Sequence, residues 1–291
     1  LLLQLISIVV PVFGAIAVGF AWARLERPFD VATVTNLVMY VGTPCLLIST
    51  LDQVRPSAQA FGAMALATLL CYLAMAVLAL AVLKLTGLDR RSFLPAMLFP
   101  NTGNMGLSLS LFTFGDAGLA LAIVTFAMTA TGHFTVGAAI SRGSLEPKGL
   151  LRMPLIYALL VGLAMVFLDL TLPLPLGRGL KLLGGLTIPL MLIALGVSLS
   201  RLRPRRLPVA FGLALVRIVG GCAIALAVSA LLGLPPLARG ALVMQYSMPV
   251  AVYAYLFAMR FDRNPDEVAG LVVASTALSL VTVPLTIWLF L

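Results

Sequence analysis

Residues 92–112 read SFLPAMLFPNTGNMGLSLSLF. The stretch is about as long as a membrane-spanning helix, which needs roughly 20 predominantly apolar residues. Pro100, Asn101, Gly103, Asn104 and Gly106 stand at its centre, where they bring helix breakers and amide side chains. A continuous helix is not expected there. Interrupting a helix in lipid frees backbone N–H and C=O groups that must be satisfied by protein, water or a ligand, so a break at this depth implies a polar cavity. Residues 241–259, ALVMQYSMPVAVYAYLFAM, have the same character, with Gln245, Tyr246, Ser247 and Pro249 at the matching depth. Two opposed breaks are predicted to meet at one midplane site. Half-helix N-termini carry partial positive charge and free donors, so an anionic group is a natural ligand for them.

The rest of the chain sets these two runs in a membrane. Of its 291 residues 62% are apolar and 10% charged, against roughly 45–50% and 25% in soluble globular proteins. That composition excludes a soluble enzyme and a nucleic-acid-binding domain. Apolar runs fall at 2–22, 33–51, 58–83, 92–113 and 117–140, then at 152–170, 179–199, 207–232, 238–259 and 267–290. The expected fold is an all-α membrane protein of ten transmembrane helices. Residues 1–140 form a first set of five, 141–151 a short cytoplasmic connection, and 152–291 a second set of five.

Net charge is +9, and the cations occupy the gaps between runs. Arg24, Arg27, Lys84, Arg90, Arg91, Arg142, Lys148, Arg152, Arg201, Arg203, Arg205, Arg206, Arg260 and Arg263 fall in alternate connections. The others hold only Arg55, Arg178, Lys181 and Arg239. The positive-inside rule then puts the first group in the cytoplasm and both termini outside, in what reads as a bacterial inner membrane. The first run has no basic leader and is followed by its charges, which suits a retained helix rather than a signal peptide. Because five is odd, the second set enters the membrane in the opposite sense, as an inverted repeat. Thr43 and Pro44 answer to Thr187 and Pro189, and Pro11 to Pro154.

Few other polar residues lie inside the runs. Arg217 is ten residues into the eighth run, about 15 Å along the helix at about 1.5 Å per residue and too deep to snorkel easily. No Asp or Glu lies at similar depth, so its partners are backbone carbonyls, water or a substrate carboxylate. It serves either the cavity's electrostatics or the carbonyls of a broken helix. His133, the single histidine, reads either as a satisfied interior residue or as an ion- or proton-coupling group. Cys45, Cys71 and Cys222 lie in apolar runs without paired spacing and read as small hydrophobes, not as a disulfide framework or metal site. Gly14, Gly19, Gly184, Gly185, Gly220 and Gly221 are expected to mark close helix packing.

The stretch FPNTGNMGLSL at 99–109 resembles the signature of the auxin efflux carrier family, which includes plant auxin exporters and bacterial permeases assigned to malate, malonate and related acids. GTPCLL at 42–47 and SMPVAVYAYLFA at 247–258 extend the resemblance over the chain. It implies a fold, similar to those of sodium–bile acid symporters and sodium–proton antiporters, in which helices four and nine cross at their breaks. A mobile domain of helices 3–5 and 8–10 would move against a scaffold of helices 1, 2, 6 and 7, with a homodimer interface. The resemblance further implies that Pro100 and Pro249 are crossover prolines, with Gly103 and Gly106 at the break, and that Asn101 contacts substrate. The plant members' long hydrophilic loop is replaced by SRGSLEPKGL at 141–150, so regulation by phosphorylation of such a loop does not transfer.

The function read from these features is a secondary active or potential-driven transporter of a small organic anion, working by alternating access and favouring efflux. Thr102, Asn104, Gln245, Tyr246 and Arg217 join Asn101 as candidate substrate contacts. No catalytic residue, metal site, cofactor or nucleic-acid partner is expected. The partners are the anion, the bilayer and a second copy of the chain. Paired acids, an HExxH motif or a nucleophile with its base, which an intramembrane enzyme requires, are missing from the sequence. Two other readings stay open: a ligand-sensing receptor on a transporter fold, and an ion-coupled carrier of another small solute.

Overall fold

A computed structural model describes residues 2–144 and 154–290. All described regular structure is helical. In chain order the helices are α1 (Leu2–Arg24), α2 (Val31–Val54), α3 (Ala58–Thr86), α4 (Arg90–Leu98) and the helical run α5 (Thr102–Arg142). They continue as α6 (Pro154–Phe167), α7 (Leu174–Arg201), α8 (Leu207–Leu231), α9 (Pro236–Tyr246), α10 (Val252–Arg260) and α11 (Pro265–Trp288). Local chemistry sets several of the boundaries. Asp30, Ser57 and Asp89 accept hydrogen bonds from first-turn N–H groups of α2, α3 and α4, satisfying donors that have no partner within the helix. Pro236 and Pro265 open α9 and α11, where the missing N–H costs nothing.

Seven of these helices are long and apolar enough to cross a membrane, against the ten spans expected. The difference has a physical origin in three places. The fourth and ninth runs are interrupted, so α4, α9 and α10 are each too short to span. α6 is a helix of 14 residues, and the expected connection before it, with Lys148 and Arg152, lies largely outside the described residues. Finally, α5 is a helical run of 41 residues, about 60 Å at 1.5 Å per residue and twice the roughly 30 Å of a bilayer core. It does not run straight. Gly115 has φ 67 and ψ −164, backbone angles that only glycine adopts readily, and the helix direction changes there.

The helices are apolar on nearly every face, as in a protein solvated by lipid. Leu3, Val77, Leu85 and Leu215 point outward. In the apolar window of α1 22% of residues are buried, against 61% in α5 and 56% in α11, so the interrupted region sits at the centre. α1 lies along α7, and α2 packs on α6 and α7. α8 packs on α3, α9 and α11, while α5 touches α3 and α9. The arginine-rich connections gather at one end. There Arg201 donates to the Phe29 carbonyl, Arg263 to the Ser141 carbonyl, and Arg205 pairs with Asp266. At the other end of α2, Arg55 meets Asp169, and Gln53 bridges Asp116 and Lys181. Cys45, Cys71 and Cys222 are unbridged.

Close packing of α1 on α7 depends on two glycines. A Cβ on Gly19 would collide with the Ile193 carbonyl oxygen, and one on Gly196 with the Ile16 carbonyl oxygen. Small residues let helix backbones approach this closely where no hydrophobic force drives association. Gly184 and Gly221 are likewise pressed against backbone, whereas Gly14 has nothing within 4 Å and plays no part in packing. Gly196→Ala is therefore expected to destabilise by about 1–3 kcal/mol, lowering the melting temperature of the detergent-solubilised protein by several degrees. Gly14→Ala, which meets nothing and removes a helix-interior glycine, should not lower it. Equal melting of the two variants would show that this contact does not limit stability.

Candidate functional site

The two interruptions satisfy each other. Pro100 has no N–H to continue a helix, and Phe99 before it is extended, with φ −107 and ψ 104. On the second segment α9 ends at Tyr246, and α10 begins only after Ala251, which is also extended. Pro100 and Val250 face one another as an antiparallel bridge. The Asn101 N–H donates to the Pro249 carbonyl at 2.7 Å, and the Ala251 N–H to the Phe99 carbonyl at 3.4 Å. The Val250 N–H donates to Ser275 Oγ of α11 at 3.0 Å. Groups that would otherwise stand unpaired in an apolar interior thus find protein partners.

α5 restarts from Asn101 in a widened turn. The Gly106 N–H reaches five residues back to the Asn101 carbonyl at 3.0 Å, and Asn101 Oδ1 caps the Asn104 N–H at 3.2 Å. π-type turns of this kind recur at functional sites. A Cβ on Gly106 would meet the Gln245 amide, which would have to turn aside to admit it.

A cavity of about 100 Å³ opens at these helix starts. It takes Pro100, Asn101, Thr102, Gly103 and Asn104 from the first break, and Ala251, Val252 and Tyr253 from the second. The N-terminal ends of α5 and α10 therefore both face it, with the partial positive charge of helix N-termini. The opposite walls come from α2 (Thr35, Val38, Met39), α5 (Phe126, Thr129, His133) and α7 (Met191, Ser198). Among the described residues no Asp, Glu, Lys or Arg lines it. Asn101 Nδ2 is buried without a hydrogen-bond partner among the described residues, as is His133 Nε2. The His133 ring stacks on Phe99 at 4.7 Å and meets Phe257 edge-on at 5.2 Å. Mainly apolar walls around an amide donor with no protein partner among the described residues suit a ligand that brings its own acceptor.

The candidate residues thus divide. Pro100, Asn101, Thr102, Gly103, Asn104 and His133 share the cavity wall. Gln245, Tyr246, Arg217, Gly106 and Pro249 do not. Gln245 Nε2 donates to Ser110 Oγ at 3.4 Å, and the Tyr246 hydroxyl donates to the Thr68 carbonyl at 2.8 Å. Arg217 Nη1 donates to the Tyr246 carbonyl at 3.0 Å. Asp116 and Asp169 lie at the far end, away from the cavity. Sequence reasoning missed Thr35, Met39, Thr129, Met191, Ser198 and Tyr253. Val31, Val34, Thr35, Val38 and Met39 do repeat at helical spacing, but a helix that is apolar all round gives no contrast between cavity face and lipid face.

Comparison with known proteins finds relatives along nearly the whole chain. A family model described as membrane transport protein matches residues 4–147 and 138–287. An uncharacterized transporter of Methanocaldococcus jannaschii is 25% identical over 274 residues, covering 88% of each chain. A protein of Rhizobium meliloti named as a candidate malonate transporter is 23% identical over 301 aligned positions, covering 96% of this chain and 94% of its own. An uncharacterized transporter of Methanothermobacter thermautotrophicus is 27% identical over 269 residues, with 88% of each covered. Helices of spanning length, paired interruptions and matches that run nearly end to end lead to one conclusion: the chain belongs to the membrane transport protein family, that of the auxin efflux carriers, and is an integral membrane transporter rather than an enzyme.

Proposed function

We propose that this transporter carries a small organic anion whose carboxylate binds at the start of α5, between Asn101, Thr102 and Asn104. The observation that carries this reading is the buried Asn101 amide, unpartnered among the described residues, at a cavity faced by two helix N-termini and by no charged side chain of those residues. Helix N-termini and an amide donor at one end of the cavity favour an anion over a cation. The name of the Rhizobium meliloti relative supports a carboxylate.

Within this proposal the ten runs form a 5+5 inverted repeat, with crossed helices four and nine. Helices 3–5 and 8–10 move as a transport unit against a scaffold of helices 1, 2, 6 and 7 that pairs two copies of the chain. The arginine-rich end lies in the cytoplasm of a bacterial cell, and both termini lie outside. The cavity's lining on α2 runs from Val31 to Thr43, and on α7 from Leu190 to Ser198, toward that end. At the other end Gln53 joins Asp116 and Lys181. Such an arrangement suits a cytoplasm-facing state. Export is favoured by energetics, since moving one negative charge out of an inside-negative compartment releases about 2.3 kcal/mol per 100 mV.

His133 favours a second reading, in which a residue of the same cavity wall, with Nε2 unpartnered among the described residues, carries a proton with the substrate. The pH profile of flux in His133→Gln decides between them: an unaltered profile leaves potential alone as the driving force, and a flattened one assigns coupling to His133.

Reconstituted protein is expected to pass an outward current with at least one member of a panel of mono- and dicarboxylates. Asn101→Ser keeps a capping oxygen but removes the amide donor. It should melt like the wild type while apparent affinity falls about 10–100-fold, the loss of a hydrogen bond to a charged group. Asn101→Ala should also lose about 1 kcal/mol of stability, the value of the cap. Wild-type transport by both variants would overturn the assignment of Asn101. Saturable binding without flux, in folded protein, would favour a sensor.

A further inference from the structure

Arg217 lies ten residues into its apolar run, deeper than any other Lys or Arg of the sequence, and it is completely buried in α8. It makes no ion pair among the described residues. Its Nη1 donates at 3.0 Å to the carbonyl of Tyr246, the last residue of α9, while Nε and Nη2 have no partner among the described residues. Gly221, one turn further along α8, makes this reach feasible. A Cβ there would collide with both the Tyr246 oxygen and the guanidinium.

α9 ends in the protein interior, not at a surface. The last turn of a helix exposes carbonyls without intrahelical partners and a partial negative charge, and in lipid no bulk water offsets either. In secondary transporters with broken helices, half-helix C-termini commonly hold the coupling cation. Here a guanidinium fixed to α8 occupies that position. The two ends of the interrupted region are thus divided: helix N-termini face the cavity, and a helix C-terminus faces Arg217.

We propose that Arg217 is a built-in substitute for a coupling metal cation, a positioning residue that neutralises the end of α9 in every cycle. Transport then needs no sodium or other alkali ion at this site. The inference rests on the transporter reading above, but its test does not require the substrate. Melting of purified wild type, Arg217→Lys and Arg217→Gln is measured in sodium chloride and in choline chloride at equal ionic strength. Wild type and Arg217→Lys are expected to melt alike and to ignore the exchange of choline for sodium. Arg217→Gln should melt about 5 °C lower in choline, the cost of an unsatisfied buried carbonyl. It should regain about 3 °C in sodium, as an ion binds the vacated position. A sodium-stabilised wild type overturns the proposal, and so does a lysine variant that melts below the wild type. It equally fails if the glutamine variant is as stable as the wild type or indifferent to sodium. If Arg217→Gln does not fold, the wild-type and lysine arms decide alone. Failure to find a transported anion would count against the functional reading and leave these melting results standing.

Discussion

The structure turns on two backbone hydrogen bonds, from Asn101 N–H to the Pro249 carbonyl and from Ala251 N–H to the Phe99 carbonyl. Each break by itself is unaffordable in an apolar interior, because Pro100 and Pro249 remove the N–H groups that would continue a ladder and expose carbonyls they leave behind. Placed against each other, the two extended segments exchange the bonds that neither helix could supply. Ser275 of α11 satisfies the Val250 N–H that remains. The geometry of the site follows: pairing fixes where α5 and α10 restart, so their N-terminal ends face one cavity.

That arrangement sorts charge without any carboxylate. The cavity receives helix N-termini and the Asn101 amide, and the end of α9 receives the Arg217 guanidinium. Asp116, beside the Gly115 kink, and Asp169, just past α6, make their contacts with Gln53 and Arg55 instead. Arg217 is costly to bury, and a carbonyl partner in a low-dielectric setting offsets part of that cost. Its presence makes sense beside a helix that stops in the interior.

Much of this was legible from residue types. Pro100, Asn101 and Gly103 in one apolar run, and Pro249 in another, announce interrupted helices because proline cannot donate and glycine favours no helix. The family followed from the same motif and was met again in the match over residues 4–147 and 138–287. The number of spanning helices was less legible. Counting apolar runs gave ten, and seven of the described helices are of spanning length, since hydropathy is blind to where a run breaks or, as at Gly115, where two runs join. Thr35, Met39 and Met191 went unnoticed because every face of their helices is apolar.

By itself the sequence determined the solvent, the helical class and where along the chain the helices break, all of which depend on local chemistry: transfer free energy, ring geometry and backbone freedom. Only the tertiary structure decided which polar groups share a site. Gln245 and Tyr246 lie a few residues before Pro249 and looked equivalent to Asn101 and Thr102 along the chain. Yet they belong to the end of α9, not to the start of α10, and their side chains turn to Ser110 and Thr68. Which side of a break a residue occupies, and which helix end it therefore meets, depends on how two distant segments pair, and no single segment encodes that.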